Sequence, residues 1–257
     1  CSKAGDGVLL NLRGVNLNDG ADPTDMVALR LWACPKGVVT LRRFPIRSVS
    51  AMGDRVQAGH GPESPGRLIA SISEKLMDLM APTIQRFDLV LDDAELLLLQ
   101  TDATEPPAGL ADARRGTIAL RRYLKPQADA LAELLALKPG FLDETDLAMI
   151  GNARQDVLRF VEHLEEMREQ AIFVYDEIEK RQDDRMNRLI YRLTIITAVF
   201  LPLGFITGLL GINVGGVPGT DTPAAFWIVC AVLGSIAVAT YAGFKLFGYL
   251  ESRSRNR

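Results

Sequence analysis

Two stretches near the C-terminal end constrain this chain more than anything else in it. From Leu193 to Thr220 there are 28 residues without a charge, and from Thr222 to Phe244 another 23, with Asp221 alone between them. A helix needs roughly 20 apolar residues to cross the hydrocarbon of a bilayer. Two such runs in tandem would overwhelm the core of a soluble domain of this size. They read as two membrane spans, 193–212 and 224–249, joined by a short loop, 213–223. Composition agrees. The chain has 257 residues, 24% of them charged, and a formal net charge of −3. Its mean hydropathy is nonetheless positive, which requires the apolar residues to be gathered in one place. The near-neutral balance excludes a strongly basic nucleic-acid binder, and the apolar content excludes a disordered chain.

The basic residues orient the spans. Arg185, Arg188 and Arg192 precede the first; Lys245, Arg253, Arg255 and Arg257 follow the second; the connecting loop has no Lys or Arg. This predicts both termini in the cytoplasm, the loop outside, and 250–257 as a basic cytoplasmic tail. Phe226 and Trp227 then sit at the outer interface, Tyr191 and Tyr249 at the inner one.

Residues 1–144 have ordinary globular composition and read as an α/β unit. Strands are predicted at Val8–Val15, Val27–Trp32 and Val38–Arg43, between Gly, Asp and Pro turns. Helices are predicted at about Arg47–Ala58, Arg67–Thr101 and Ala108–Leu137, with a kink or break at Pro82 and a break before Pro126. The chain opens on Cys1, almost directly into a strand, and reads as the interior of a longer protein that lacks its N-terminal piece. Cys1, Cys34 and Cys230 form no C-x-x-C pair, which fits neither a disulfide framework nor a zinc knuckle and points to a reducing compartment for the soluble part.

From Thr145 until Pro202 there is no other Pro and a single Gly, Gly151. This predicts one helix of about sixty residues, a stalk at 145–192 that runs straight into the first span. Ile150, Val157, Leu164, Ala171 and Ile178 recur every seven residues, with Ala153, Phe160, Met167 and Val174 three after each, a packing seam. Another heptad row reads Glu162, Glu169, Asp176, Asp183, then Ile190, Thr197, Gly204 and Gly211. Its neighbour contributes Asn187, Thr194, Leu201 and Gly208. Acidic groups line the stalk part of this stripe, and small or hydroxyl groups the membrane part. The stripe reads either as a solvated face below a small-residue packing face, Gly204-x-x-x-Gly208, or as an acidic vestibule leading to a pore-lining helix. A two-span hairpin cannot enclose a water path, so an ion path requires several copies around an axis with the first span inside.

The stretch Leu193–Thr197, Phe200–Leu203 and Gly208–Asn213 resembles the pore helix of the CorA superfamily of divalent-cation transporters, marked by Gly-Met-Asn at the outer end of the first span. Here Gly211-Ile212-Asn213 departs at its middle residue. The continuation Val214–Gly219, with Arg13–Asn18 and Asp25–Trp32 upstream, looks like the ZntB branch of that superfamily. The resemblance covers nearly the whole chain. It implies an α+β membrane protein with a cytoplasmic α/β funnel and a long stalk helix, assembled as a homopentamer in the bacterial inner membrane. It implies uptake of Zn2+ and related divalent cations coupled to the proton gradient, with Asn213 as the signature residue that meets the hydrated ion. It also sets Asn187, Ile190, Thr194, Thr197, Leu201, Gly204 and Gly208 in the pore-facing register.

The residues themselves add chemistry. An Asn ring offers neutral acceptors that hold a cation through its water shell. Leu201 and Ile190 form candidate dewetting gates, and Asp221, the one acid of the outer loop, can raise local cation concentration. Nothing in the spans specifies zinc: His60 lies in a turn, His163 reads as a plain stalk surface residue, and neither span carries an Asp, Glu or His for a proton relay. No cofactor is expected, and no enzyme signal survives. Gly59-x-Gly61 lacks its third glycine, and there is no Walker-type G-K-[ST]. A magnesium or cobalt channel, and a membrane-anchored coiled-coil scaffold without transport, remain as alternative readings.

Overall fold

The structure, a computed structural model, describes residues 1–212 and 222–254. Its contacts divide the chain into two units, Cys1–Glu179 and Lys180–Arg257.

The first unit begins with four antiparallel strands in simple order: β1 (Ser2–Ala4), β2 (Gly7–Gly14), β3 (Val27–Cys34) and β4 (Gly37–Arg42). Alternation decides which face is covered. Val8, Leu10 and Leu12 of β2 and Leu29, Leu31 and Ala33 of β3 are buried, while Leu9, Asn11 and Arg30 are exposed. The register sets Leu10 against Leu31 and Leu12 against Leu29, so one apolar sheet face is built from two strands. Three of these strands are expected from sequence. The fourth, β1, is three residues long, and the Trp32 indole N–H donates to its Ala4 carbonyl at 3.1 Å. The expected α/β unit is a segregated α+β one: tight turns join each strand to its neighbour except over 15–26, and no helix crosses between strands. In that longer connection the Asp22 carboxylate accepts from the Thr24 N–H and hydroxyl, both at 2.8 Å. These bonds hold its pKa below the usual aspartate range.

Helices α1 (Arg47–Gln57), α2 (Pro65–Gln100) and α3 (Leu110–Leu137) follow. A kink or break is expected at Pro82 of α2 and a break before Pro126 of α3; neither helix is broken, and both prolines lie inside continuous helices. Each proline removes one backbone donor, but buried neighbours on either side, Met80, Thr83 and Ile84 in α2 and Leu124, Gln127 and Ala128 in α3, bind both halves to the same core. Close approach also demands glycine: a Cβ on Gly116 would run into the Phe87 ring.

Helix α4 (Glu144–Leu210) is 67 residues long and runs through the division between the units. Its start is fastened to the start of α2. Asp143 and Asp146 form a reciprocal cap, the Asp146 N–H donating to Asp143 Oδ1 at 2.6 Å and the Asp143 N–H to Asp146 Oδ2 at 3.3 Å. Ser64, the N-cap of α2, donates its hydroxyl to Asp146 Oδ1 at 2.5 Å and accepts from the Arg67 N–H. Asp146 is 1% exposed, and the missing side chain of Gly66 leaves room for it.

Within the first unit the expected seam of α4 is covered. Ile150, Ala153, Val157, Leu164, Met167, Ala171, Val174 and Ile178 are buried and Phe160 is half-buried. The cover is α2 and α3 of the same chain. Arg121 pairs with Glu165, Arg114 lies 5.2 Å from the Tyr175 ring centroid, and Gln170 donates to Glu95 at 2.8 Å. A seam filled from within is not free to form a coiled coil with another copy, which removes the physical basis of the scaffold reading.

Helix α5 (Ala225–Ser254) completes the chain. Parts of α4 and α5 are long and apolar enough to cross a membrane.

The seam has a direct test. Leu164→Ala should destabilise the first unit by about 2–5 kcal/mol, the usual loss for an emptied leucine site, while Glu162→Ala on the exposed side should change little. Chemical denaturation of the purified protein, followed by far-UV circular dichroism, checks the difference; equal effects would deny the seam.

Candidate ion path

Within the second unit, α4 and α5 lie side by side. The Tyr191 hydroxyl donates to the Phe244 carbonyl at 3.2 Å, and the two rings meet edge to face with centroids 6.4 Å apart. The half-buried positions of α4 between 190 and 210 are Ile195, Ala198, Val199, Pro202, Leu203 and Ile206. Those of α5 include Ala225, Val229, Leu233, Ile236, Ala237 and Thr240. Each set falls on one side of its helix, as expected where two helices cover each other.

The row singled out from sequence lies elsewhere. Asn187, Ile190, Thr194, Thr197, Leu201, Gly204 and Gly208 are all exposed. At 3.6 residues per turn, the members from Ile190 to Gly208 sit about 150° around α4 from the side that α5 covers. Leu201 is 70% exposed and Ile190 54%. A Cβ added at Gly204 or Gly208 would meet nothing, so the pair makes no close helix contact among the described residues.

The threonines of this row are chemically one-sided. Thr194 Oγ1 donates to the Ile190 carbonyl and Thr197 Oγ1 to the Leu193 carbonyl, both at 2.9 Å. The hydroxyl protons are thus used inside the helix, and the oxygens are left as acceptors. Acceptors suit a cation or the donor side of its water shell. The helix then stops two residues short of the expected end at 212. Leu210 is its last residue, and the Gly211 N–H donates to the carbonyls of Thr207 at 2.9 Å and Gly208 at 3.2 Å. Ile212 is exposed. Asn213 and Asp221, with the rest of 213–221 and the tail residues Arg255 and Arg257, lie outside the described residues.

The acidic row has the expected exposure. Glu162, Glu169 and Asp176 in the first unit and Asp183 in the second are all exposed. Glu169 is partly neutralised, since Arg168 Nη2 donates to it at 2.6 Å and to Glu165 at 2.9 Å. Arg185, Arg188 and Arg192 are exposed as well. At the far end Phe226 and Trp227 pack edge to face at 5.5 Å and are exposed, as interfacial aromatics require.

One expectation changes. His163, read as a plain surface residue, has its Nε2 2.8 Å from Asp88 Oδ2 on α2 and its Nδ1 3.6 Å from Glu166. It fastens α4 to α2 at the edge of the seam. Its sequence position, one residue before buried Leu164, is the only signal for this, and Asp88 is too distant in sequence to be found. Among the described residues no three His, Cys, Asp or Glu side chains gather into a metal-holding group.

Comparison with known proteins bears on this geometry. Residues 1–246 match the family model described as CorA-like Mg2+ transporter protein. The divalent cation transporter CmaX of Pseudomonas aeruginosa is 37% identical over 246 residues, which cover 95% of this chain and 74% of that protein. The zinc transport protein ZntB of Pectobacterium carotovorum is 33% identical over 233 residues, 90% of this chain and 71% of that one. The solved structure of the full-length CmaX protein superposes with a TM-score of 0.78 at 36% identity, covering 95% of this chain and 75% of that one.

The chain therefore belongs to the CorA-like family of divalent-cation transporters and is not an enzyme.

Single cysteines at Thr197 and Gly204, in a chain whose own three cysteines are replaced by Ala, should react with a charged, membrane-impermeant thiol reagent about tenfold faster than cysteines at Val199 and Ile206, because thiolate chemistry needs water. Equal rates at the four positions would show that the row is not wetted.

Proposed function

We propose that this chain is one subunit of a homopentameric pore that carries hydrated divalent cations, Zn2+ among them, across the bacterial inner membrane. One observation carries the reading: the hydroxyl-and-glycine row of α4 is turned away from α5 and is left uncovered among the described residues. A row of small and acceptor groups has no reason to face lipid. With copies arranged about an axis, it faces the same row of its neighbours.

In that arrangement Thr194 and Thr197 present rings of oxygen acceptors, and Gly204 and Gly208 leave width for a water shell. Leu201 and Ile190 form apolar rings that close the path by dewetting when it narrows. Asn213 supplies neutral carbonyl acceptors at the outer mouth, and Asp221 draws cations toward it. Glu162, Glu169, Asp176 and Asp183 do the same on the cytoplasmic side. Weak, hydrated binding suits conduction, because a site that strips the ion holds it too long. The arginine-rich approach to the first span supports cytoplasmic termini. Protons, if they are coupled, move through water or through carboxylates outside the bilayer, since neither charge-free run contains an ionisable relay.

Zinc is supported by the ZntB relative and by the resemblance of Val214–Gly219 to that branch. A magnesium-selective pore is the second reading, favoured by the description of the family model.

Flux into vesicles containing the purified protein separates these readings. Zinc uptake should exceed that of empty vesicles and rise when a pH gradient, acid outside, is imposed. Magnesium flux without zinc flux would install the second reading. Asn213→Ala should lower flux about tenfold or more, as expected for loss of a ring of ion-facing acceptors, with assembly unchanged. Unaltered flux would remove Asn213 from its role.

A further inference from the structure

The uncovered face of the sheet carries a feature that cation transport does not use. A cleft of about 790 Å³ opens there, within the range of small-molecule sites. Its lining holds Arg13 from β2, Arg30 from β3 and Arg43 just beyond β4 against a single carboxylate, Asp25. Arg42, the last residue of β4, also lines it, but its register partner is buried Leu29 and its guanidinium turns to the other face, toward α1. Elsewhere in the first unit Arg67 pairs with Glu63, Arg115 with Asp112, Arg121 with Glu165, Arg159 with Asp156 and Arg168 with Glu165, while six other arginines form no ion pair among the described residues and are spread over the surface rather than gathered. Among the described residues, none of the four cleft arginines forms an ion pair.

Two of them are fixed by neutral partners. Arg13 lies 4.5 Å over the Tyr123 ring and donates to the Met26 carbonyl at 3.4 Å. Arg42 Nη1 donates to the Ile46 carbonyl at 3.1 Å and to Ser50 Oγ at 3.0 Å. Arg43 sits 5.4 Å from the centroid of Phe44, a ring that is 50% exposed at the rim. Ring stacking and carbonyl contacts orient a guanidinium without neutralising it. Like charges gathered around one cleft repel, so the arrangement is favourable when an anion lies between them.

We infer that this cleft binds a polyphosphate anion of nucleotide size. Guanidinium forks match phosphate oxygens in pairs, and several phosphates in a row are needed to engage arginines from β2, from β3 and from just beyond β4. The Phe44 ring offers a plane for a base. The ligand binds as an occupant and not as a fuel, since the chain has no phosphate-cradling G-K-[ST] loop. This inference stands apart from the transport reading, because binding is measured without any flux.

The test is calorimetric titration of the purified full chain, in a non-ionic detergent and without divalent metal, using inorganic tripolyphosphate in one series and ATP in another. Saturable binding at one site per chain is expected, weakened by added salt. The double variant R30Q/R43Q, which leaves the structural contacts of Arg13 and Arg42 in place, should weaken binding about tenfold or more, the scale of two lost charge-assisted contacts. Asp25→Asn should strengthen it. Tighter binding of ATP than of tripolyphosphate assigns a nucleotide through Phe44; equal binding assigns the phosphate chain alone. Absence of saturable binding to the unaltered chain would overturn the inference. So would equal affinity in R30Q/R43Q with an unchanged melting temperature, which would mark the binding as general surface charge.

Discussion

Two helices side by side have no interior, and the arrangement of this chain follows from that. Whatever polar surface the spans possess points away from the side where they are half-buried, because those positions are Ile195, Val199, Leu203 and Ile206 on one helix and Val229, Leu233 and Ile236 on the other. The first span therefore has two faces of different chemistry. One is apolar and covered. The other carries hydroxyls and glycines, with large exposed apolar side chains among and beside them, Ile190, Leu193, Leu201 and Phe205. In lipid, an uncovered glycine face forfeits packing, and van der Waals packing drives helix association there. Copies of the chain are the simplest cover for it.

The first unit solves the same problem in water. Helix α4 is too long to be held by propensity alone, so its seam from Ile150 to Ile178 is pressed into α2 and α3. The paired cap of Asp143 and Asp146, shared with Ser64, fastens its start. His163 and Asp88 add a tie at the edge. Burying the apolar side internally leaves Glu162, Glu169 and Asp176 exposed.

The sequence made these periodic features legible and the long-range ones not. Nine seam positions and the small-residue row follow from a period of seven, which is local information. No break occurs at Pro82 or Pro126 because a proline's local cost is set against core packing on both sides of it. Strand β1 escaped because three residues carry no alternation to read, and its anchor is the indole of Trp32. His163 needed knowledge of Asp88, 75 positions away. The arginine cleft likewise exists only once β2, β3 and β4 are paired. Asn213, the residue on which the resemblance leans most, lies outside the described residues, and its role remains a proposal.

The central claim is that copies of this chain close around the exposed row of α4, and the number of chains per particle tests it most directly. Native mass spectrometry of the detergent-solubilised protein, whose chain mass is 28.1 kDa, should give a single species of five chains. Particles of one or two chains, at concentrations where the protein is folded and able to carry ions, would contradict the account, since neither number can enclose a water path.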